Sequence, residues 1–474
     1  MTRATVIICT FNREDVIGQA IEHAARQSCD ADDFEVLVVD NASTDSTPRL
    51  LERLIAESPP RPRIRCVREA RQGLSSARNR GAAEASGEVL IYLDDDALAG
   101  PDLVARYVEL FDRYADVGMA GGEIKLVPPE PAPAWLCPEL AGYWSERLLP
   151  GSEPFYPNEA WWLPYGANMA IPREVLRAVG GFPEHLGRQG KDFSGGEELD
   201  LAFRVMLMTG LRIMLDPRAG VRHVVEPHRF TLTHIFKSAR AAARVWLHFE
   251  RAYIGGLEDW KREFRIAARD VLKGIIPYSK RRLIRADMVK RLASARFHWE
   301  KVRGKKRFSP EQLAWVDQPP LVETPLRRPS GGGGSPELSV EPRRLFGDAI
   351  RLDSVTLADQ CLTMRWTCLN PPGLDLGIFI HVSPGRTADS RNGAPAADVD
   401  RFDFVPPIPT TYWRRAWTYP LVKMIDRPPD SAATIKIGLF DRRQGCDSRL
   451  LLPDGADHAA IARPPAAVFG ARAS

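Results

Sequence analysis

The sequence predicts an α/β domain with a mostly parallel sheet over residues 1–235. A basic helical segment over 236–318, a flexible linker over 319–338, an all-β sandwich over 339–462 and a loose tail to 474 follow it. Three observations predict this order. Short apolar runs alternate with helical patterns over the first 125 residues, as in βαβ units. The apolar run Val89–Leu93 ends in three carboxylates, Asp94, Asp95 and Asp96, as a buried parallel strand does when it opens on a ligand crevice. Beyond the stretch Pro-Ser-Gly-Gly-Gly-Gly-Ser-Pro the hydrophobic period changes from helical to alternating.

At 474 residues, 44% apolar and 27% charged, the chain has room for two or three domains of ordinary globular composition. No apolar run approaches the length of a membrane-spanning helix, and the N-terminus enters a strand directly instead of a signal peptide, so a cytoplasmic location is expected. Seven cysteines lie without metal-ligand spacing, and Cys361 and Cys368 are too far apart for a C-x-x-C site. Reduced structural thiols are expected. The net charge of +4 hides an asymmetry, because Lys261–Arg307 holds seventeen basic and four acidic residues and the remainder is net acidic by nine.

The predicted strands of the first domain are Thr5–Cys9, Glu35–Val39, Ile64–Val67, Val89–Leu93 and Gly118–Gly121. Helices are expected between them at Asp15–Arg26, Thr47–Glu57, Ser75–Ala85 and Pro101–Tyr114. Two more strands end in polar residues, Thr10-Phe11-Asn12-Arg13 and Asp40-Asn41-Ala42-Ser43-Thr44-Asp45. Polar groups at several strand ends make a nucleotide crevice, where Asp40 could accept hydrogen bonds from a base or ribose. Asp45 and Ser46, just before Thr47-Pro48, suit helix capping. Three adjacent acids repel one another, and a hard divalent cation, Mg²⁺ or Mn²⁺, holds them together most cheaply. The alternative is that one of them caps the helix near Pro101. Gly73–Gly81 opens a helix and adds Arg78 and Arg80 as phosphate-neutralising groups. A Gly-rich phosphate loop is absent, which argues against P-loop and dinucleotide chemistry.

Six ordered motifs now carry a resemblance: Thr10–Arg13, Val39–Asp45, Gly73–Gly81, Tyr92–Asp96, Gly166-Ala167-Asn168-Met169-Ala170 and Gly180-Gly181-Phe182. Over about the first 235 residues the chain resembles the family 2 glycosyltransferases of the GT-A, Rossmann-like fold. The resemblance implies an inverting transferase that takes a sugar from a nucleotide diphosphate donor, usually UDP, with a divalent metal. By position it implies donor contacts from Thr10, Phe11, Asn12, Asp40, Asn41, Arg78, Asp94 and Asp95, and a metal ligand in Asp96. Trp135, Trp144, Trp161, Trp162 and Tyr165 form an aromatic cluster that suits either sugar stacking or packing. Trp161, Trp162, Tyr165 and Asn168 are the expected acceptor contacts, with a helix from Pro172 against the donor sugar.

Ser194 and Glu197 have capping-box spacing, which leaves Glu198 free at a helix start. The family pattern here is Glu-Asp, whose Asp is the general base; this chain reads Glu-Glu, placing the carboxylate ~1.5 Å further out. Glu198 is the expected base, with Asp200 as the alternative or as a solvent-facing neighbour of Arg204. After a short strand at Leu211–Leu215, the resemblance implies that His223, or else His228, completes the metal site, although a structural histidine also fits.

The pattern from Thr231 to Trp299 is helical with a break at Pro277. Between Trp260 and Phe308 basic residues interleave with apolar ones, which predicts contact with an anionic membrane surface at the inner face of the membrane, or a solvated face. No nucleic-acid motif accompanies the charge. Beyond the linker, alternating runs at Leu362–Trp366, Leu374–Val382 and Ile435–Phe440 predict the sandwich. Pro409–Arg414 and Gly438–Arg442 resemble sandwich tails of some cell-envelope sugar-transfer proteins, and Trp413 and Trp417 suggest carbohydrate binding or partner docking. The combined expectation is a metal-dependent inverting transferase acting on a glycan or lipid-linked acceptor in surface polysaccharide assembly. Its rivals are a silent sugar-binding scaffold and a nucleotidyltransferase, although the latter needs a Gly- and Arg-rich loop where Thr10–Glu14 stands.

Overall fold

The structure is a computed structural model that describes residues 2–157, 162–189, 195–249, 253, 264–273 and 286–304, together with strands between 338 and 462. The chain divides into two compact units, Met1–Val205 with Ile213–Gln318, and Met206–Arg212 with Pro319–Ser474.

The first unit is built on an eight-stranded sheet: β1 (Ala4–Thr10), β2 (Phe34–Asp40), β3 (Arg63–Arg68), β4 (Val89–Asp94), β5 (Ala97–Ala99), β6 (Val117–Val127), β7 (Asn168–Pro172) and β8 (Arg212–Val224). Their order across the sheet is β3-β2-β1-β4-β7-β6-β8-β5. The β1–β2, β2–β3 and β1–β4 pairs are parallel, whereas β4–β7, β6–β7 and β5–β8 are antiparallel. The sheet is therefore mixed, not mostly parallel as expected. Apolar runs reveal strands but not their direction, and the reversal begins where the chain leaves the βαβ rhythm after β4.

Helices α1 (Ile17–Ala25), α2 (Thr47–Glu57), α3 (Leu74–Glu84) and α4 (Leu103–Arg113) fall within two residues of the predicted bounds. Their apolar residues recur at helical spacing and are buried, as with Ile17, Ala20, Ile21 and Ala24 on α1. Close approach of α3 to the sheet depends on Gly81: a Cβ there would lie 2.5 Å from Ile7 Cγ2. Two elements differ from expectation. The helix expected from Pro172 begins at Arg173 as α6 (Arg173–Ala178), after the short α5 (Pro138–Ala141), but the run leading into it forms the unpredicted strand β7. Strand β8 has 13 residues, extends through His223, and pairs with the unpredicted β5 so that Ala97 faces His223. Helix α7 (Glu197–Arg204) and the long α8 (Leu232–Phe249) follow the predicted pattern.

Asn168, expected to meet an acceptor, is instead fully buried and ties the antiparallel half together. Its Nδ2 donates to the carbonyls of Ala219 (2.7 Å) and Glu123 (3.1 Å), and its Oδ1 accepts from the Tyr107 hydroxyl (2.7 Å). Residues 264–273 form helix α9, and Ala286–Gly304 forms α10, which packs against α8. Pro277, the expected break, lies outside the described residues. Among the described residues no helix is long and apolar enough to cross a membrane.

In the second unit the described strands are antiparallel. Cys361–Cys368 pairs with Ile350–Ala358 and Thr418–Met424, and Leu376–Ser383 pairs with Asp400–Phe404 and Thr434–Asp441. Cys361 and Cys368 end the same strand, and Cys9, Cys29, Cys66, Cys137 and Cys368 are free thiols.

Replacing Asn168 by Ala removes its bonds to the Tyr107 hydroxyl and to two carbonyls. Each buried unsatisfied group costs about 1–3 kcal/mol, so Asn168→Ala should lose on the order of 3 kcal/mol in denaturant unfolding. A loss below about 1 kcal/mol would contradict this role.

Candidate active site

Four chain ends meet at one mouth: the carboxyl ends of β1 and β4, the end of β8 and the N-terminus of α7. They line a cavity of about 890 Å³. Parallel β1 and β4 run side by side with Cys9 opposite Asp94, so both end at the same level. The antiparallel β8 then brings His223 beside Asp96, whose carbonyl accepts a 2.9 Å bond from the Val224 amide.

One ligand atom each from Asp94, Asp96 and His223 lies within 4.8 Å of the others, a group that could hold a metal ion. His223 has the arrangement of a ligating imidazole. Its Nδ1 lies 2.7 Å from the Trp144 carbonyl, which can only accept, so Nδ1 carries a proton and Nε2 points at Asp96 Oδ1, 2.8 Å away. Two carboxylates and an imidazole are a donor set suited to Mn²⁺ or Mg²⁺. His228 also lines the cavity but is largely exposed, 4.0 Å from Glu226, and it is His223 that the fold brings to the acids.

Cations surround the acids. Arg13 donates through Nε to Asp95 (3.1 Å), through Nη2 to Asp96 (2.8 Å) and through Nη1 to Glu226, and Arg229 Nη1 adds a 3.0 Å bond to Asp96. Burial opposes ionisation of Asp96, but the bond from His223 and the nearby guanidiniums hold its carboxyl well below the usual range. Burial likewise opposes a charged His223, and Asp96 outweighs it, raising the imidazole above its ordinary value. Asp95 is pushed up to about 6 by burial, with Arg13 pulling against it and Asp96 adding repulsion. The sequence marks Arg13 only as the last residue of the Thr10–Arg13 motif, with no partner, and does not mark Arg229. A gap of 82 residues separates Arg13 from Asp95, and only the strand order closes it.

Of the expected donor contacts, Thr10, Phe11, Asn12 and Asn41 line the cavity, but two of them also hold loops. Asn12 takes the left-handed conformation (φ 54°), and its Oδ1 accepts from the Thr44 amide at 2.8 Å. Asn41 donates to the Glu69 and Arg71 carbonyls and accepts from the Gly73 amide. Asp40 is buried beneath this turn, accepting from the Ser43 amide at 3.0 Å, and does not line the cavity.

Helix α7 carries the second acidic pair. Glu197 does not show the expected capping: its Oε1 accepts a 2.6 Å bond from the fully buried Arg78, whose other nitrogen lies 3.6 Å from Asp94. Ser194, its expected partner, lies outside the described residues. Arg78 fits there because Gly166 has no side chain; a Cβ would lie 2.2 Å from Arg78 Nη2. Glu198 lines the cavity, and its Oε2 is buried with no hydrogen-bond partner among the described residues. Burial, then the Glu197 carboxylate, push Glu198 up to about 8 against the pull of Arg78. Asp200, the alternative base, is fully buried, with its oxygens bonded to Arg204 (2.7 Å) and the Tyr253 hydroxyl (2.5 Å).

Of the aromatic cluster, Tyr165 lines the cavity, with the Arg147 guanidinium 4.0 Å from its ring centre. Trp162 packs edge-on to Phe155 away from the cavity wall, and Trp161 lies outside the described residues. Trp144 is buried and stacks with Trp135, Phe230 and His234, so it packs, and its carbonyl orients His223.

Residues 5–180 match the family model described as Glycosyl transferase family 2. A glucosyl-dolichyl phosphate glucuronosyltransferase of Haloferax volcanii is 24% identical over 254 residues, which are 48% of this chain and 71% of that relative. Validoxylamine A glucosyltransferase of Streptomyces hygroscopicus subsp. limoneus is 29% identical over 230 residues, 42% of this chain and 47% of its own. The chain spans about half, 53%, of an uncharacterized glycosyltransferase of Nostoc sp., with 30% identity over 183 residues, 37% of this chain. Among solved structures, a mannosyltransferase from Pyrobaculum calidifontis in complex with GDP-Man and Mn²⁺ aligns with a TM-score of 0.41 and 21% identity, over 66% of this chain and 78% of that one. The match over β1 to α6 and the similar relatives lead to one conclusion: the chain is a glycosyltransferase whose residues 5–180 match the Glycosyl transferase family 2 model.

Proposed function

We propose that the protein is an inverting, metal-dependent transferase of the GT-A type. It moves a sugar from a nucleoside diphosphate, with UDP the first choice, to a hydroxyl of a glycan or lipid-linked acceptor in surface polysaccharide or glycolipid assembly. The observation that carries this reading is that two acidic groups of opposite character share one cavity. Asp94 and Asp96 lie with His223 among cations, and Glu198 presents a buried oxygen without a partner.

In this reading Glu198 removes the proton from the acceptor hydroxyl as the hydroxyl oxygen attacks the anomeric carbon. The bond to the nucleoside diphosphate breaks on the opposite face, which inverts the centre. Asp94, Asp96 and His223 would hold a divalent ion, which would supply charge stabilisation for the departing diphosphate. Arg13 and Arg229 keep Asp96 ionised and in place, and Arg78 holds the α7 acids against the β4 acids. Thr10, Phe11, Asn12 and Asn41 form the donor wall and Tyr165 an acceptor wall. The glucosyl-dolichyl phosphate in one relative's name supports a lipid-linked acceptor. The basic stretch Lys261–Arg307 supports association with an anionic membrane surface at its inner face. For the second unit we propose a sandwich of its two antiparallel sheets, with a carbohydrate-binding or docking role.

A base works only when deprotonated, so transfer should rise with pH through about 8, the value to which Glu198 is pushed. Glu198→Gln should lose about 10²–10⁴-fold in kcat together with that limb, yet retain nucleoside diphosphate binding. An unchanged rate or pH profile would remove Glu198 as the base. Asp96→Asn preserves shape but removes a charge, and calorimetry should show the Mn²⁺-dependent part of nucleoside diphosphate binding disappear while the transition temperature confirms a folded protein. Undiminished Mn²⁺-dependent binding would exclude the triad.

A further inference from the structure

The arginines around the acids are not equally committed. Arg13 directs all three of its nitrogens at acids, namely Asp95, Asp96 and Glu226. Arg78 is buried and taken up by Glu197 and Asp94. Arg229 differs: Nη1 donates to Asp96 Oδ2 at 3.0 Å, whereas Nε and Nη2 have no hydrogen-bond partner among the described residues. Arg229 also lines the catalytic cavity. One edge of its planar fork therefore holds a carboxylate of the Asp94, Asp96 and His223 group, and the remaining donors are left for something else.

The backbone fixes this residue in place. Arg229 ends the short 3₁₀ turn Pro227–Arg229, and its amide donates to the Glu226 carbonyl at 3.0 Å. Its own carbonyl accepts from the Thr231 amide (2.9 Å) and from the Trp144 indole (3.3 Å), so the residue that orients His223 also anchors Arg229. Positive charge gathers nearby. Arg188 and His228 line the same cavity, and Arg188 and Arg13 both repel the Arg229 guanidinium. The imidazole of His234 registers that field: burial, then repulsion from Arg229, Arg188 and His228, hold it down to about 4. Donors fixed in a positive field beside metal-ligating carboxylates suit a diphosphate, whose charge calls for hydrogen-bond donors as well as an ion.

We propose that Arg229 donates through Nε and Nη2 to the diphosphate of the sugar donor while Nη1 keeps Asp96 in place, so that one guanidinium joins the metal-ligating acid to the leaving group. This deepens the transferase reading and rests on it for the identity of the anion. As the acceptor oxygen bonds to the anomeric carbon, the bond from that carbon to the diphosphate breaks and its electron pair goes to the departing oxygen. The hydroxyl proton passes to Glu198, and Arg229 meets the charge on the diphosphate without giving up a proton.

Calorimetry on the full chain tests this with Mn²⁺ alone and with UDP, GDP and dTDP in the presence of Mn²⁺. Arg229→Gln should bind Mn²⁺ at least as tightly as the parent, because Asp96 is still held by Arg13 and the ion loses a competing cation. The same variant should bind the parent's preferred nucleoside diphosphate about 10- to 100-fold more weakly, as expected when a charged hydrogen-bond partner is removed. Arg229→Lys, which keeps the charge without the fork, should fall between the two. Undiminished nucleotide affinity in Arg229→Gln would overturn the proposal. So would equal losses of Mn²⁺ and nucleotide binding, because Arg229 would then only brace Asp96. A parent that binds Mn²⁺ but none of the three nucleotides would refute the donor reading instead, and titration with Mg²⁺ and inorganic pyrophosphate then decides the contact. Weaker pyrophosphate binding in Arg229→Gln than in the parent would keep the contact to the anion, and equal binding would overturn it.

Discussion

Negative charge gathered at the end of one buried strand is the constraint on which the rest of the first unit depends. Two like charges about 4 Å apart repel by about 4 kcal/mol at an effective dielectric near 20, and burial adds to that cost. Asp94, Asp95 and Asp96 stay together because Arg13 arrives from β1, Arg78 from α3, Arg229 from beyond β8 and His223 from β8 itself. The result is a balanced group in which Asp96 remains ionised at any ordinary pH while Asp95, less fully compensated, titrates higher.

The mixed sheet follows from the same requirement. Three parallel pairings align the ends of β1, β2 and β4 at one edge, which is how a parallel sheet makes a crevice. The antiparallel strands then return across the molecule and place β8 against the short β5, directly after the acids. Asn168 and the glycines of β6 hold that return. A Cβ at Gly122 would lie 1.7 Å from the Ala219 carbonyl, so β6 and β8 approach closely only because none is present. Precise placement of His223 thus rests on packing some distance from the cavity, with Trp144 as the intermediary that both packs and fixes the imidazole.

The opposite wall uses the reverse strategy. Glu197 takes the bond from Arg78, so its neighbour Glu198 is left desolvated beside a carboxylate, with its Oε2 unpaired among the described residues, and holds its proton more tightly than an ordinary carboxyl. Paired titratable groups with environments that push them apart are how one cavity supplies both a stable anion and a proton acceptor. Gly196, just before α7, takes a left-handed backbone (φ 98°) and lies so close to Val245 that a Cβ would sit 2.8 Å from its Cγ1, so only glycine fits at the helix start.

Much of this was legible in the residues alone. Strand and helix positions through α4 follow from hydrophobic period, and the acidic strand end, His223 and Glu198 stand out because such residues are costly without a task. Three features were not legible, each for a physical reason. Strand direction after β4 leaves no mark on a short apolar run, so the sheet reads as parallel when it is mixed. Side-chain partnership across long separations has no local signature, which hid Arg13 and Arg229 and made Glu197 look like a helix cap. Burial decides whether a polar residue faces a ligand or braces the fold, and it sent Asn168, Asp200 and Trp144 to structural tasks. The sequence by itself determined the element types and the chemical inventory of the site, because both depend on local spacing and composition. Only the tertiary structure decided which of those groups meet, because their distances are set by strand order and by packing contacts many residues apart.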